Sequence, residues 1–180
     1  MKRIVISLAG AGLAAAGLAG IVVAQNDKKS ITLDVACDCR TFKYNRDVPF
    51  EQVVRGDGFI TNGKIFPGGT LPSGTQNNDP NDPGSIGAWV CRGTAAVGAA
   101  EAQTPPIVFF TQYHMMGDGR TLISEGFDAP AGQVTKTALV GGINLGALAG
   151  IGGELSAEII GTNITGCPNI RFTVDPGRAN

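Results

Sequence analysis

Apolar and polar residues alternate most clearly in the second half of the chain, in two runs joined by a short turn. Residues 107–116, IVFFTQYHMM, and residues 121–128, TLISEGFD, each have the two-residue period of a β-strand. Residues 117–120, GDGR, stand between them, and Asp-Gly suits the positive φ angles of a tight turn. The pattern therefore predicts a β-hairpin over these residues.

Further short runs with strand character follow one another along the rest of the chain, separated by turn-forming residues. Glycine is abundant, at 27 residues, and long amphipathic helical patterns are missing. These features predict an all-β domain. The strand-like runs are residues 30–36, 59–66, 85–97, 134–140, 153–160 and 169–174.

Two connections between these runs have a distinctive composition. Residues 67–84, PGGTLPSGTQNNDPNDPG, consist of turn formers and predict a long surface loop of the kind that often forms a lid or rim. Residues 138–160 contain a strand-like run ending in Gly141-Gly142, a small apolar segment and a second run. Because neither G-x-G-x-x-G nor Gly-Lys-Ser/Thr occurs there, we expect a tight corner and not a phosphate-binding loop.

The N-terminus has the pattern of an export signal. Residues 1–3 are basic or apolar, MKR, residues 4–23 are apolar, and Ala24 precedes the polar Gln25. This predicts a secretory signal peptide over residues 1–24 and one domain over residues 25–180. The alternative is an uncleaved N-terminal anchor, since the apolar run is about long enough to span a bilayer. We expect a secreted protein, extracellular or periplasmic, with no membrane association after cleavage.

The charge balance excludes some partners. The chain has 14 basic and 15 acidic residues, and loss of Lys2 and Arg3 would leave 12 against 15, a net charge of −3. A mildly acidic chain has no basic surface for nucleic acid or for anionic membrane. We therefore expect neither as a partner.

Cys37, Cys39, Cys91 and Cys167 are candidates for disulfides, because an even number of cysteines in an exported protein favours pairing. Cys37 and Cys39 would share one face of a strand, too far apart to bond with each other. Each is therefore expected to bond with Cys91 or Cys167. The alternative, a zinc site at Cys-x-Cys, lacks nearby histidines, so no metal is predicted.

Three short motifs have a functional and a structural interpretation. Residues 55–57, RGD, match an integrin-binding tripeptide but also fit a turn before a strand. Residues 77–84, NNDPNDPG, resemble a calcium loop, but Pro83 and Val90 occupy positions where ligands are needed. Residues 163–165, NIT, form a glycosylation sequon, which we discount because the N-terminus and composition are typical of bacterial proteins. The structural interpretation is preferred for all three.

Several polar residues lie within the predicted strands, where they matter only if their face lines a cavity. Asn62 stands between large apolar residues, and Glu125 would be a buried carboxylate with a raised pKa if its face is interior. His114, the single histidine, shares a face with Phe110 and Gln112. The sequence leaves open whether each of these faces is interior or solvated.

Four blocks, taken in order, resemble the allene oxide cyclase and dirigent superfamily. Residues 55–69, RGDGFITNGKIFPGG, are similar to its "GD…F.N..Y.G" segment, and residues 117–126, GDGRTLISEG, to its "GD.G.L...G" hairpin. Residues 138–155 resemble its glycine-rich block and residues 161–174 its final loop and strand. The resemblance implies an eight-stranded antiparallel β-barrel. It also implies that Asn62 stands where an asparagine of the cyclases helps to hold a water on the epoxide oxygen.

The resemblance gives three functional hypotheses. The first is a barrel that binds a small apolar or phenolic molecule in its interior. The second is an isomerase or cyclase without a cofactor, in which Asn62 would hold a water and Glu125 would stabilise positive charge. The third is a structural role outside the cell without a ligand. A homo-oligomer, dimer or trimer, is also expected. The polar anchors of a ligand would be Asn62, Gln112, His114 and Glu125, and the apolar walls Phe59, Trp89 and Phe110.

Overall fold

The computed structural model describes residues 30–75, 77–102, 107–128, 134–144 and 152–176, and they form a closed β-barrel. Eight strands pair antiparallel around the barrel, and β9 closes it by pairing with both β8 and β1. A two-residue strand, β3, pairs parallel to β8 outside the barrel. The predicted all-β, eight-stranded antiparallel barrel is thus confirmed. The strands are β1 (Ile31–Tyr44), β2 (Gly58–Pro67), β3 (Gly74–Thr75), β4 (Gly87–Val97), β5 (Ile107–Met116), β6 (Thr121–Phe127), β7 (Thr135–Ile143), β8 (Gly153–Thr162) and β9 (Pro168–Pro176).

Two short helical segments, a 3-10 turn (Phe50–Gln52) and α1 (Ala99–Ala102), lie in the connections at one end of the barrel. Val53, which follows the 3-10 turn, is buried and packs with the barrel core. Its carbonyl accepts a hydrogen bond of 2.9 Å from the Ala99 amide. Among the described residues, none of the helices is both long and apolar enough to span a bilayer.

Alternation along the strands sorts side chains into an inner and an outer set, as the period of two requires. On β5 the side chains of Val108, Phe110, Gln112, His114 and Met116 are buried, and those between them are more exposed. The inner sets of all eight strands form one continuous core. Inner and outer faces can therefore be assigned residue by residue.

The two ends of the barrel differ in the connections that they hold. We name each end after one such feature. The hairpin end holds the β5–β6 turn at residues 117–120, where the Gly119 amide donates to the Met116 carbonyl at 3.0 Å. The disulfide end holds the bond between Cys39 and Cys167. Near the hairpin end the inner side chains are large and apolar. They include Leu33, Ile65, Met116, Leu122, Leu155 and Val174.

Strand β1 continues farther than the sequence pattern predicts. It pairs regularly with β2 up to Asp38, and pairing resumes only at Lys43, so the residues between them form a large bulge. The far side of the bulge is held by an aromatic cluster. Ring centroids of Phe42 and Phe59 are 5.8 Å apart, and those of Phe42 and Tyr44 are 5.0 Å apart. These contacts explain why a polar segment nevertheless extends the strand.

The paired glycines 141 and 142 lie inside strand β7 and not at its end. They pair with Ile123 and Leu122 of β6, after a register shift next to Ser124. The strand ends at Ile143, and the next residue, Asn144, has a positive φ of 53°. The remainder of the predicted corner, residues 145–151, lies outside the described residues.

The long loop over residues 67–84 is fastened to the outside of the barrel. Asp34 is fully buried beneath it and accepts hydrogen bonds from Arg171 Nε at 2.8 Å and from the Leu71 amide at 2.9 Å. Farther along the loop, Asn78 exchanges side-chain hydrogen bonds with Asn169. The predicted surface loop therefore covers the outer face of β1 and β9.

The cysteines are paired only in part as predicted. Cys39, in the β1 bulge, is bonded to Cys167, just before β9, which confirms one predicted disulfide. The expectation that Cys37 and Cys91 also form disulfides is wrong, because both are free thiols. Strand β2 lies between β1 and β4, so their backbones are about 10 Å apart. A disulfide requires Cα atoms closer than about 7 Å.

Candidate functional site

A row of small polar side chains crosses the barrel interior on four adjacent strands. Register pairs Ser124 with Gln112, Gln112 with Cys91, and Cys91 with Thr61. All four side chains are buried. Ser124 Oγ donates to Gln112 Oε1 at 3.4 Å, whereas Thr61 Oγ1 makes no hydrogen bond to the described residues. We call Thr61, Cys91, Gln112 and Ser124 the inner polar row.

His114 and Trp89 face the interior one step nearer the hairpin end, directly opposite each other on β5 and β4. The His114 ring packs edge-to-face on Phe172 with centroids 4.7 Å apart, and Phe172 lies 6.2 Å from the Trp89 ring. Within the described structure, Trp89 Nε1 and both ring nitrogens of His114 have no hydrogen-bond partner of normal geometry. The row and this pair together place unpaired donors and acceptors next to aromatic surface.

Burial keeps these groups uncharged. It lowers the pKa of His114 to about 4, and the backbone of Leu122, directly opposite, opposes this with a smaller effect. Burial also raises the pKa of Cys91 to about 12, with a smaller contribution from Asp128. The pKa of Cys37 is raised in the same way by burial and then by Cys91. The interior therefore offers neutral hydrogen-bonding groups at neutral pH, and its thiols are protonated and weakly nucleophilic.

The structure separates the residues that the sequence proposed as one site. Gln112, His114, Trp89 and Phe110 are buried and face the interior. Phe59 is half-buried against the same core, near the disulfide end. These five residues are therefore brought together along neighbouring strands.

Asn62 and Glu125 lie instead on the outer face. Asn62 is partly exposed between the buried Thr61 and Gly63, and its backbone amide donates to Thr41 Oγ1 at 2.9 Å. Glu125 is exposed next to the buried Ser124, and its Oε1 accepts a hydrogen bond of 3.1 Å from Thr111. Neither of these side chains lines the barrel interior.

Sequence reasoning missed two members of the inner polar row, Thr61 and Ser124. The alternation alone could have placed both on the inner face, since Thr61 shares a face with Ile65 and Ser124 shares one with Leu122. Small hydroxyl side chains are common on strands, and only the barrel register shows that Thr61 lies beside Cys91 and Ser124 beside Gln112.

In two of the short motifs, the key polar side chain is buried and makes contacts within the protein. Asp57, the acidic residue of the RGD tripeptide, is 4% exposed and forms an ion pair with Arg46. Asn163, the sequon asparagine, is also 4% exposed; it donates to the Cys37 carbonyl at 2.8 Å and accepts from Thr165 Oγ1 at 2.7 Å. Both side chains are inaccessible in the folded protein, so the structural interpretation applies to both motifs.

Carboxylates of the calcium-like stretch are engaged in contacts with the protein. Asp79 forms an ion pair with Arg40 and accepts from the Asn81 amide at 2.8 Å, and Asp82 accepts from the Asp79 amide at 2.7 Å. In the part of the chain that the structure describes, His, Cys, Asp and Glu side chains form no group of three or more suited to a metal ion.

Comparison with known proteins supports the fold. A search with family models finds no match to the sequence, and a comparison with curated proteins finds none either. Solved structures do match. A pyocyanin demethylase has a TM-score of 0.56 at 14% identity, covering 83% of this chain and 100% of its own.

Two pterocarpan synthase dirigent proteins also match. PsPTS1 has a TM-score of 0.61 at 11% identity, covering 84% of this chain and 96% of its own; GePTS1 has 0.57 at 14%, covering 87% and 92%. Identity this low establishes shared architecture and not shared chemistry. The predicted dirigent-like barrel is confirmed as the fold of this chain.

Proposed function

We propose that this protein binds a small apolar or phenolic molecule inside the barrel, at the inner polar row and the neighbouring pair His114 and Trp89. The observation that carries the proposal is the set of buried polar atoms on these residues without a partner in the described protein: Thr61 Oγ1, Trp89 Nε1, and His114 Nδ1 and Nε2. An unpaired buried polar group costs about 1–3 kcal/mol. A molecule that pairs with several of them recovers that free energy on binding.

The chemistry of these groups suits a phenol. A phenolic oxygen accepts a hydrogen bond from Trp89 Nε1, and its hydroxyl donates to the unprotonated nitrogen of the neutral His114. Phe110 and Phe172 supply aromatic surface beside them. The solved structures with this fold include proteins named for pterocarpan synthesis and for pyocyanin demethylation.

The test uses the single tryptophan as a probe, since Trp89 lies at the proposed site. Fluorescence of Trp89 is recorded while substituted phenols and apolar control compounds are added to the full mature protein. We expect saturable quenching by at least one phenol, and roughly two- to tenfold weaker binding in Thr61→Val or Gln112→Leu.

A matched control is Thr173→Val, which makes the same chemical change on β9 between the buried Phe172 and Val174, outside the site. It should bind as the wild type does. Absence of saturable binding across the phenol set, or equal weakening in the control, would contradict the proposal.

The isomerase alternative has less support from the geometry. Its assigned residues, Asn62 and Glu125, lie on the outer face, away from the inner polar row. Under the binding proposal, the Asn62→Ala and Glu125→Gln variants retain interior phenol binding. We do not assign them to a reaction.

We also propose that residues 1–24 direct export and are removed, so that the mature protein works outside the cytoplasm. The Cys39–Cys167 disulfide is compatible with an oxidising compartment. Intact-mass analysis of protein secreted by its own host should give a chain beginning at Gln25. A mass that includes residues 1–24 would support the uncleaved anchor instead.

A further inference from the structure

A cleft of about 910 Å³ lies mainly on the outer face of the barrel, where Ile60, Arg92, Thr111 and Glu125 border it. Several of its lining residues form one transverse row across neighbouring strands. Ile60 pairs with Arg92, Arg92 with Thr111, Thr111 with Glu125, and Glu125 with Ala138. The volume is in the range of small-molecule sites. The inner-facing Phe59 and Phe110 also border the outer cleft, but its charged residues, Lys43, Arg92 and Glu125, are not part of the interior site proposed above.

Arg92 differs from the other arginines that the structure describes. Each of those pairs with a carboxylate, at distances of at most 3.3 Å. Arg92 is exposed and has no ion pair with the described residues. Its guanidinium lies over the Tyr113 ring, 5.2 Å from the centroid, which positions it while leaving its donors available.

The remainder of the outer cleft is mostly apolar. Ile60, Phe109 and Val140 are between 43% and 52% exposed and supply its walls, and Tyr44 and Phe59 lie at the β1 bulge. Lys43 contributes a second cation. Glu125 contributes an anion that Thr111 holds by a hydrogen bond. A neighbouring cleft of about 790 Å³ shares Lys43 and Tyr44, but its Arg46 is already paired with Asp57.

We propose that the outer cleft is a second binding site that takes an aromatic organic anion, with Arg92 binding its acidic group. Apolar walls bind the ring system, and the guanidinium fork binds a carboxylate or sulfonate through two parallel hydrogen bonds. Lys43 and Arg92 together with the single carboxylate of Glu125 give the cleft a net positive charge, although the protein as a whole is mildly acidic. The positive balance favours an anion over a neutral compound of the same shape.

The test uses 8-anilinonaphthalene-1-sulfonate as the anionic probe and N-phenyl-1-naphthylamine as its neutral analogue, with the full mature protein. Probe fluorescence is titrated for the wild type, Arg92→Gln, Arg92→Lys and Glu125→Gln. We expect Arg92→Gln to weaken binding of the sulfonate about three- to tenfold, with a smaller loss in Arg92→Lys. Glu125→Gln should tighten it, because the variant removes a negative charge from the cleft. The neutral analogue should be unaffected by all three.

Arg55→Gln is the matched control, because Arg55 is 69% exposed and pairs with Glu101 away from the outer cleft. It removes the same charge and should leave sulfonate binding unchanged. Equal affinity of wild type and Arg92→Gln, or equal weakening in Arg55→Gln, would overturn the proposal. So would weakening in both Arg92→Gln and Glu125→Gln, since a charge effect requires opposite signs.

Gln112→Leu separates this proposal from the interior one. The variant should lose affinity for phenols, measured by Trp89 fluorescence, and keep its affinity for the sulfonate. If sulfonate binding falls in Gln112→Leu and not in Arg92→Gln, the probe occupies the interior and the outer cleft is not its site.

Discussion

His114 is buried as a neutral imidazole next to Phe172, and its environment decides how the residue behaves. A lone histidine on a strand gives no sign of its protonation state, whereas complete burial among aromatic and aliphatic side chains disfavours the imidazolium. Among the described residues, the ring nitrogens have no hydrogen-bond partner of normal geometry. At the residue scale, His114 is therefore a hydrogen-bonding group and not a source of charge.

Burial of His114 predicts a pH-dependent stability. Its pKa is about 4 in the folded protein and about 6.5 when unfolded. Between these values the unfolded chain takes up a proton that the folded chain does not, so the free energy of unfolding falls as the pH falls from 6.5 to 4. The loss reaches roughly 3 kcal/mol at most.

Urea unfolding of the wild type and His114→Leu at pH 7, 5.5 and 4 measures this effect. Carboxylates titrate in both proteins, so the difference between them isolates the histidine. The stability of His114→Leu relative to wild type should rise as the pH falls. A difference that stays constant with pH would show that His114 has the same pKa in the folded and unfolded states.

At the scale of elements, the barrel is secured by two attachments far apart in sequence. The disulfide joins the β1 bulge to the β8–β9 connection, across 128 residues. The Asp34–Arg171 ion pair fastens the 67–84 loop to β1 and β9, and Arg171 Nη2 also donates to the Leu71 carbonyl at 3.3 Å. Both attachments hold irregular segments that cannot be stabilised by ladder pairing alone.

Thiol counting tests the disulfide assignment. Alkylation of the denatured, unreduced protein should modify Cys37 and Cys91 alone, and reduction should add Cys39 and Cys167. Reduction, or Cys39→Ser, should destabilise the fold by about 2–4 kcal/mol because the unfolded chain regains the freedom of a long loop. Mass spectrometry and thermal unfolding check the two parts. Alkylation of Cys39 without reduction would disprove the pairing.

Removal of Arg171 tests the attachment of the loop. Arg171→Ala leaves the fully buried Asp34 carboxylate without its counter-ion and should cost roughly 3 kcal/mol. The 67–84 loop should also become sensitive to limited proteolysis. Lys136→Ala is the control, since Lys136 and Glu154 form an exposed pair worth less than about 1 kcal/mol. Equal stability of the two variants would mean that Asp34 is not buried by the loop.

At the scale of the molecule, the closed barrel creates two sides with different chemistry. The inner side carries neutral polar groups among aromatic rings, and the outer side carries Arg92 and Glu125 beside exposed apolar residues. Because successive side chains of one strand alternate between the sides, neighbours in sequence such as Cys91 and Arg92 belong to different sites. The barrel thereby accommodates two proposed sites that share strands β2, β4, β5 and β6, and the outer cleft extends further to β1 and β7.

The outer face near the hairpin end predicts self-association. Ile86, Met115 and Ile143 are exposed there by 40%, 38% and 59%, and register places Met115 and Ile143 on either side of Thr121. Exposed apolar patches often mark interfaces. We expect a dimer or trimer by light scattering, and a shift to monomer in Met115→Glu. Lys64→Glu, on the outer face of β2, should not shift it. A monomeric wild type at micromolar concentration would rule this out.

The local sequence pattern was sufficient to predict where most of the strands and the hairpin lie. Strand β5 has the predicted bounds, and the Asp118-Gly119 turn lies where the alternation stops, because period and turn chemistry are properties of neighbouring residues. The β1 bulge was not predictable in this way. It depends on packing of Phe42 against Phe59, which is remote in sequence.

What the sequence determined by itself was therefore the all-β class, the order of the strands and the set of side chains that share each face. Which face is interior was decided by closure of the barrel, since a period of two is the same viewed from either side. Closure placed Gln112 and His114 inside and Asn62 and Glu125 outside. The spatial order of the strands sets β2 between Cys37 and Cys91, which remain free thiols, whereas Cys39 and Cys167 are bonded. Distances across a sheet depend on strand order in space, and that order is a property of the tertiary structure.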